Sequence, residues 1–187
     1  MEIVDNFINE IIQEEINSYI RRNNFSWNYC KDGTQRLYDK RYHFIDENTI
    51  DSPQFTHDLN NSHDSFVTQY LLHCMKDYFG RSFSDRILRI KANMLLQNKE
   101  YKPHNYHIPH CDYEENAESA LYYIDDSDGD TFIFNEKPNI NLTNVTIRDR
   151  IAPVKGRLVL FDSTYLHASS SPVISSERLV INFLFKK

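Results

Sequence analysis

His110 and Asp112 stand two residues apart, and a further histidine, His167, follows some fifty residues on. Two imidazoles and one carboxylate make a ligand set that occupies one face of an octahedron. Such a set suits non-haem Fe(II) and leaves positions open for a cosubstrate and O2. In a chain with eight histidines the same triplet also fits a turn in a polar loop. The choice between them rests on the elements that must position the three residues.

From Arg86 onward the hydrophobic pattern has the short period of strands. Strands are predicted over 87–96, 118–125, 131–134, 145–149, 158–162 and 178–185, separated by turn residues such as Asp128-Gly129, Lys155-Gly156 and Ser171-Pro172. Short strands with such turns imply an antiparallel sandwich or barrel. In extended chain, residues two apart share a face, so His110 and Asp112 can address one metal while Cys111 turns away. The last strand divides cleanly. Leu179, Ile181, Phe183 and Phe185 form one side, and Arg178, Val180, Asn182 and Leu184 the other. An arginine on the inner face of a small barrel is costly unless it meets a carboxylate, and its planar fork suits a bidentate grip on one. An iron site backed by such an arginine calls for a 2-oxo acid with a distal carboxylate, which points to 2-oxoglutarate.

The first half of the chain reads as helical support. Val4, Phe7, Ile8, Ile11, Ile12, Ile16, Tyr19 and Ile20 recur at helical spacing. A second helix is predicted over 65–79, with Asp64 as N-cap and Gly80 as terminator. Between them, 36–45 reads as a strand or hairpin arm and 46–61 as a long polar loop of the kind that often serves as a lid or binding segment. The whole forms one domain of 187 residues, with 1–85 supplying helices and substrate loops and 86–187 the β core.

Composition agrees. Twelve Tyr and twelve Phe against four Gly fit β-structure around a solid core. A net charge of −6 excludes a general nucleic-acid platform. Three cysteines (Cys30, Cys74, Cys111) with no close pair suit a reduced, cytoplasmic protein. No apolar run approaches a membrane span, and the first residues lack the pattern of a signal peptide.

The run from Asn105 to Phe185 resembles the 2-oxoglutarate/Fe(II)-dependent oxygenases, most closely their prolyl-4-hydroxylase-like branch. The matching pieces, in order, begin with His110-Cys111-Asp112, Leu121-Tyr122-Tyr123-Ile124 and Asp128-Gly129-Asp130-Thr131-Phe132. They continue through Gly156-Arg157-Leu158-Val159-Leu160-Phe161 and His167 to Arg178-Leu179-Val180-Ile181-Asn182-Phe183. The resemblance implies a mainly β chain with a double-stranded β-helix (jelly-roll, cupin-like) core packed on N-terminal α-helices. It implies His110, Asp112 and His167 as the catalytic iron ligands, with Fe(II) as cofactor and 2-oxoglutarate and O2 as cosubstrates. Arg178 would hold the distal carboxylate of 2-oxoglutarate, with Tyr123, Tyr101 and Asn182 as further contacts. Cross-strand packing is the alternative role for Tyr123. The chain has Gly129-Asp130 where many relatives have two glycines. Halogenating relatives have a small residue in place of Asp112, so its presence implies hydroxylation. The implied reaction hydroxylates a C–H bond of a peptidyl side chain or small molecule while 2-oxoglutarate yields succinate and CO2. A jelly-roll protein that binds without turnover and an oxygenase acting on nucleic acid are the alternatives.

Other features read more plainly. Pro103 and Pro109 interrupt any helix that would join His104, His107 and His110 in a zinc site, and His104 and His107 either help shape the cleft or are exposed loop histidines. The acidic run 125–130 lacks the ligand spacing of a calcium loop and reads as a hairpin turn. Lys31, Arg36, Lys40, Arg41 and His43, interleaved with Tyr29, Tyr38 and Tyr42, read as a solvated strand face rather than an anion-binding one. Ser163 lacks the setting of a nucleophile.

Overall fold

The computed structural model describes residues 1–31, 44–60, 65–113 and 115–187. Among the described residues, ten strands and two α-helices form three layers. The strands are β1 (Glu2–Val4), β2 (Asn28–Cys30), β3 (Gln54–Asp58), β4 (Ile87–Leu96), β5 (Ala117–Tyr123), β6 (Thr131–Phe134), β7 (Ile147–Ile151), β8 (Leu158–Asp162), β9 (His167–Ser169) and β10 (Glu177–Lys186). The helices are α1 (Glu10–Ile20) and α2 (Ser65–Phe79). A seven-stranded sheet runs β1-β8-β5-β10-β4-β3-β2, and a three-stranded sheet runs β7-β6-β9, all antiparallel. This is the expected jelly-roll. No helix among the described residues is long and apolar enough to cross a membrane.

Strand alternation assigns each layer its core. Ala120, Tyr122, Leu158, Leu160, Leu179, Ile181, Phe183 and Phe185 project from the outer face of the large sheet onto the helices, meeting Ile16, Ile20, Val67, Leu71 and Met75. The alternate residues Leu121, Tyr123, Val159, Phe161 and Val180 face the small sheet and pack on Ile133 and Ile151. The division of β10 into an apolar and a mixed face is as the sequence predicts.

The first half is less helical than expected. Val4 belongs to β1, which pairs with β8, and α1 begins only at Glu10, where Asn9 accepts from the Ile11 N–H at 2.8 Å. The predicted loop 46–61 contains β3, whose Thr56 and Phe55 pair with Asn93 and Met94 of β4. Its polar alternation disguised a strand that borders a cavity. Helix α2 has its expected span and stops at Gly80, which takes φ +64°. The N-cap expectation for Asp64 and most of the basic and aromatic run lie outside the described residues. Strand β7 starts two residues later than predicted, and β9 was not anticipated, being only three residues long.

Candidate metal centre and its cavity

The chain reaches His110 as an extended segment that pairs with β9 through a single bridge. The His110 N–H donates to the His167 carbonyl at 3.0 Å, and the His167 N–H returns a bond of 2.8 Å. Directly opposed residues of an antiparallel pair present their side chains side by side. The two imidazoles accordingly lie 4.8 Å apart between ring centroids. In each ring Nδ1 is 3.0 Å from the carbonyl two residues earlier, Ile108 for His110 and Tyr165 for His167. Donation from Nδ1 to those carbonyls leaves each Nε2 unprotonated, the tautomer a metal requires. Asp112 completes the group, its Oδ2 3.5 Å from His167 Nε2. One ligand atom from each of the three lies within 4.8 Å of the others. Cys111, between two of them in sequence, is outside this group but lines the same cavity, where the face argument had it turn away.

The Asp112 carboxylate is buried but well supplied with donors. Arg89 Nη2 donates to Oδ1 at 2.7 Å, Ser119 Oγ to Oδ2 at 3.1 Å, and Asn182 Nδ2 approaches Oδ2 at 3.5 Å. Burial opposes its charge, yet the Arg89 guanidinium beside it holds the carboxyl well below its ordinary range. It is therefore an anion ready for a cation. Arg89 and Ser119 were not singled out from sequence. The alternation of β4, which puts Arg89, Lys91 and Asn93 on one side, carried the signal for Arg89.

A cavity of about 220 Å³ opens on this cluster and extends between the sheets to Arg178. Arg178 is 3% exposed. Its Nε donates to the Gly129 carbonyl and its Nη2 to Thr131 Oγ1, both at 2.7 Å. The Tyr123 hydroxyl meets Thr131 Oγ1 at 2.6 Å, and the Tyr123 ring lies 5.5 Å from the guanidinium carbon. Among the described residues no carboxylate pairs with Arg178. The acidic neighbour it feels, Asp130, is engaged by Arg150. A buried guanidinium whose only partners are neutral oxygens is an incomplete ion pair, and the cavity lies open to the anion that would complete it.

The structure thus brings His110, Asp112, His167, Arg178 and Asn182 to one cavity wall. Tyr123 reaches that wall through Thr131, a residue that sequence reasoning passed over. Tyr101 is elsewhere. Its hydroxyl bonds the Ile50 carbonyl and lies 3.5 Å from Ser52 Oγ and 3.4 Å from His107 Nδ1. His107 is buried rather than an exposed loop residue, and His104 is exposed. His107 Nδ1 accepts from the Ser52 N–H at 3.3 Å and Nε2 meets Ser171 Oγ at 3.3 Å, so the ring ties three loops together. In the acidic run, Asp125 pairs with Arg21, Asp126 accepts from the Lys155 N–H and Asp128 accepts three backbone N–H groups of 173–175. These carboxylates serve loop closure.

A profile of the 2OG-Fe(II) oxygenase superfamily matches residues 92–186, just over half of the chain. The chain belongs to that superfamily. It is an oxygenase whose cofactor is Fe(II) and whose cosubstrates are 2-oxoglutarate and O2, and the three convergent ligands and the unpaired Arg178 fit that pair. Solved structures share the fold at low identity. A 2OG-Fe(II) oxygenase family oxidoreductase from Burkholderia pseudomallei has a TM-score of 0.64 at 12% identity, covering 98% of this chain and 84% of its own. A prolyl-4-hydroxylase from Pseudomonas putida has 0.57 at 15%, covering 100% and 92%. SnoN, the non-haem alpha ketoglutarate dependent epimerase of nogalamycin biosynthesis, has 0.62 at 10%, covering 99% and 77%. No curated protein sequence matches this chain.

Proposed function

We propose that this oxygenase hydroxylates a C–H bond of a small molecule or peptidyl side chain. The observation that carries the reading is the pairing of two features in one cavity, three convergent metal-ligand residues at one end and, at the other, an arginine that no carboxylate among the described residues pairs with. In this reading His110, Asp112 and His167 hold the iron. Arg178 receives the distal carboxylate of 2-oxoglutarate, and Thr131, fixed by Tyr123, sets the pitch of the guanidinium. When bound, the iron would let O2 act as the oxidant, one oxygen atom entering the C–H bond and the other the succinate formed as 2-oxoglutarate loses CO2. The protein's own part is positional. The carbonyls of Ile108 and Tyr165 fix both imidazoles, Arg89 and Ser119 fix the carboxylate, and the apolar packing of Leu121, Val180 and Ile133 excludes water from the closed side.

The test is an anaerobic Fe(II) titration with and without 2-oxoglutarate, following the visible charge-transfer band of the complex. A band in the wild type that is lost in His110→Ala and Asp112→Ala and weakened in Arg178→Ala supports the reading. A folded wild type that takes up neither iron nor 2-oxoglutarate would sink it.

A further inference from the structure

The wall between the metal ligands and β3 carries polar groups that the proposed iron and 2-oxoglutarate do not use. Arg89, Lys91 and Asn93 of β4 all face the cavity, at two-residue steps of about 7 Å along the strand. Lys91 stands opposite Asn182 of β10 and Asp58 of β3 in the strand register. Its ammonium is half-buried, and among the described residues no carboxylate lies within 4.0 Å of it. Asp112 is held by Arg89, and Asp58 Oδ1 accepts from the Asn60 N–H at 2.9 Å. Burial accordingly draws the Lys91 pKa down, with Asp112, Cys30 and Asp58 only partly opposing. Beside it, Asn93 Oδ1, Asn182 Oδ1 and Arg89 Nε are buried and have no hydrogen-bond partner among the described residues. Orphaned donors and acceptors gathered on one cavity wall are costly unless a ligand satisfies them.

Charge decides what kind of ligand. Arg89, Lys91 and Arg178 line the cavity against a single carboxylate, Asp112. Fe(II) and doubly anionic 2-oxoglutarate cancel each other, so the loaded site retains two positive charges in a space with little room for solvent. Arg178 and the metal answer the two charged ends of 2-oxoglutarate. Lys91 lines the same cavity between Asn182 of β10, whose Nδ2 approaches Asp112, and Asp58 of β3. At about 220 Å³ the cavity is smaller than the roughly 300–1,000 Å³ of sites that enclose a drug-sized ligand. Beyond the cosubstrate it admits only a compact group.

We propose that Lys91 is the specificity residue for an oxyanion on the primary substrate, a carboxylate or phosphate, and that Asn93 Oδ1 accepts an N–H or O–H of the same molecule. This rests on the oxygenase reading and narrows it, to a small acid or an acidic side chain instead of a neutral one.

The experiment is equilibrium binding of a panel of small carboxylic acids, each matched with its primary amide, and of phosphomonoesters. The full chain with Fe(II) and 2-oxoglutarate is held without O2, and binding is read by calorimetry and by the change in the charge-transfer band. Acids should outbind their amides at least about tenfold, Lys91→Gln should erase the preference and Lys91→Arg should keep it. Phosphomonoesters binding in place of acids, with the same dependence on Lys91, names phosphate as the oxyanion and also supports the proposal. No acid or phosphate favoured over its neutral counterpart overturns it. So does a Lys91→Gln variant that loses affinity for 2-oxoglutarate itself, which would assign Lys91 to the cosubstrate. Calorimetry keeps the two readings apart. A Lys91-dependent preference without a charge-transfer band leaves an anion site and removes the oxygenase reading.

Discussion

Arg89 and Asp112 form an ion pair of 2.7 Å in which the carboxylate is the buried partner and the guanidinium is about one-third exposed. Arg89 thereby fixes the orientation of Oδ1 and leaves Oδ2 facing His167 Nε2. A carboxylate oriented this way loses little freedom when a cation arrives. Replacing the partner of a metal-binding group costs about 10–100-fold in metal affinity. Arg89→Gln should therefore weaken Fe(II) binding by that factor while leaving the protein folded, as read by anaerobic titration beside circular dichroism. An unchanged affinity would show that Ser119 and the fold alone hold Asp112 in place.

Gly129 lies where β6 is entered, against the Arg178 side chain. A Cβ at this position would stand 2.6 Å from the Ser170 carbonyl oxygen, 3.0 Å from the Pro172 nitrogen and 3.1 Å from Arg178 Cδ. Two of these are backbone atoms and cannot yield cheaply. Gly129→Ala should cost about 1–3 kcal/mol of stability through overpacking and, by displacing Arg178, weaken 2-oxoglutarate binding. Chemical denaturation and calorimetry would measure the two effects. Loss of stability with full affinity would mean that the loop 170–172 moves and the arginine does not.

The strand pattern made β4, β6, β8 and β10 legible because each alternates or stays apolar over its whole length. The triad was legible because two residues in extended chain share a face and His167 follows a strand end. Three things were hidden, each for a physical reason. Strand β3 is short and polar because its inner face borders a cavity, so it read as a loop. Arg89, Lys91 and Asn93 alternate with apolar residues, a pattern that on an antiparallel sheet usually means a solvent face. Here it lines a cavity enclosed by the second sheet, and only Arg178 on the adjacent strand hinted at that. His107 could not be told from an exposed loop histidine, since burial of a loop depends on Ser52, Asp51 and Ser171 arriving from distant parts of the chain.

Asp128 links the turn after β5 to the loop that leads into Arg178. Its Oδ2 accepts from the Val173 and Ile174 N–H groups and its Oδ1 from that of Ser175, each at 2.9 Å. Burial is the largest single influence and opposes its charge, but the three bonds together outweigh it and lower its pKa to about 2. A carboxylate whose folded pKa is depressed adds stability that is complete above its ordinary value near 4 and is lost as pH falls through the folded value near 2. Asp128→Asn should thus be less stable than wild type at neutral pH, by of order 1 kcal/mol given its partial exposure. Urea denaturation at stepped pH should show the two proteins converging between pH 4 and pH 2. A constant difference across that window would mean that Asp128 contributes by shape alone.

Tyr123 and Arg178 share one oxygen, Thr131 Oγ1, at 2.6 Å and 2.7 Å. The hydroxyl of Thr131 has one proton. Since Arg178 can only donate, Thr131 accepts from it, and the same oxygen either donates to Tyr123 or accepts from it as well. In both cases Tyr123 fixes the rotation of Thr131 and Thr131 fixes one arm of the guanidinium fork. Tyr123→Phe removes the hydroxyl from a fully buried site and should cost about 1 kcal/mol of stability. Its effect on 2-oxoglutarate affinity should be several-fold, weaker than that of Arg178→Lys, which loses the fork itself and should cost about 2 kcal/mol of binding or more. A Thr131→Val variant separates the routes. If Tyr123 acts through Thr131, the double variant Tyr123→Phe with Thr131→Val should bind 2-oxoglutarate no worse than Thr131→Val alone. Additive losses would mean that the Tyr123 hydroxyl acts directly, on Arg178 or on the cosubstrate.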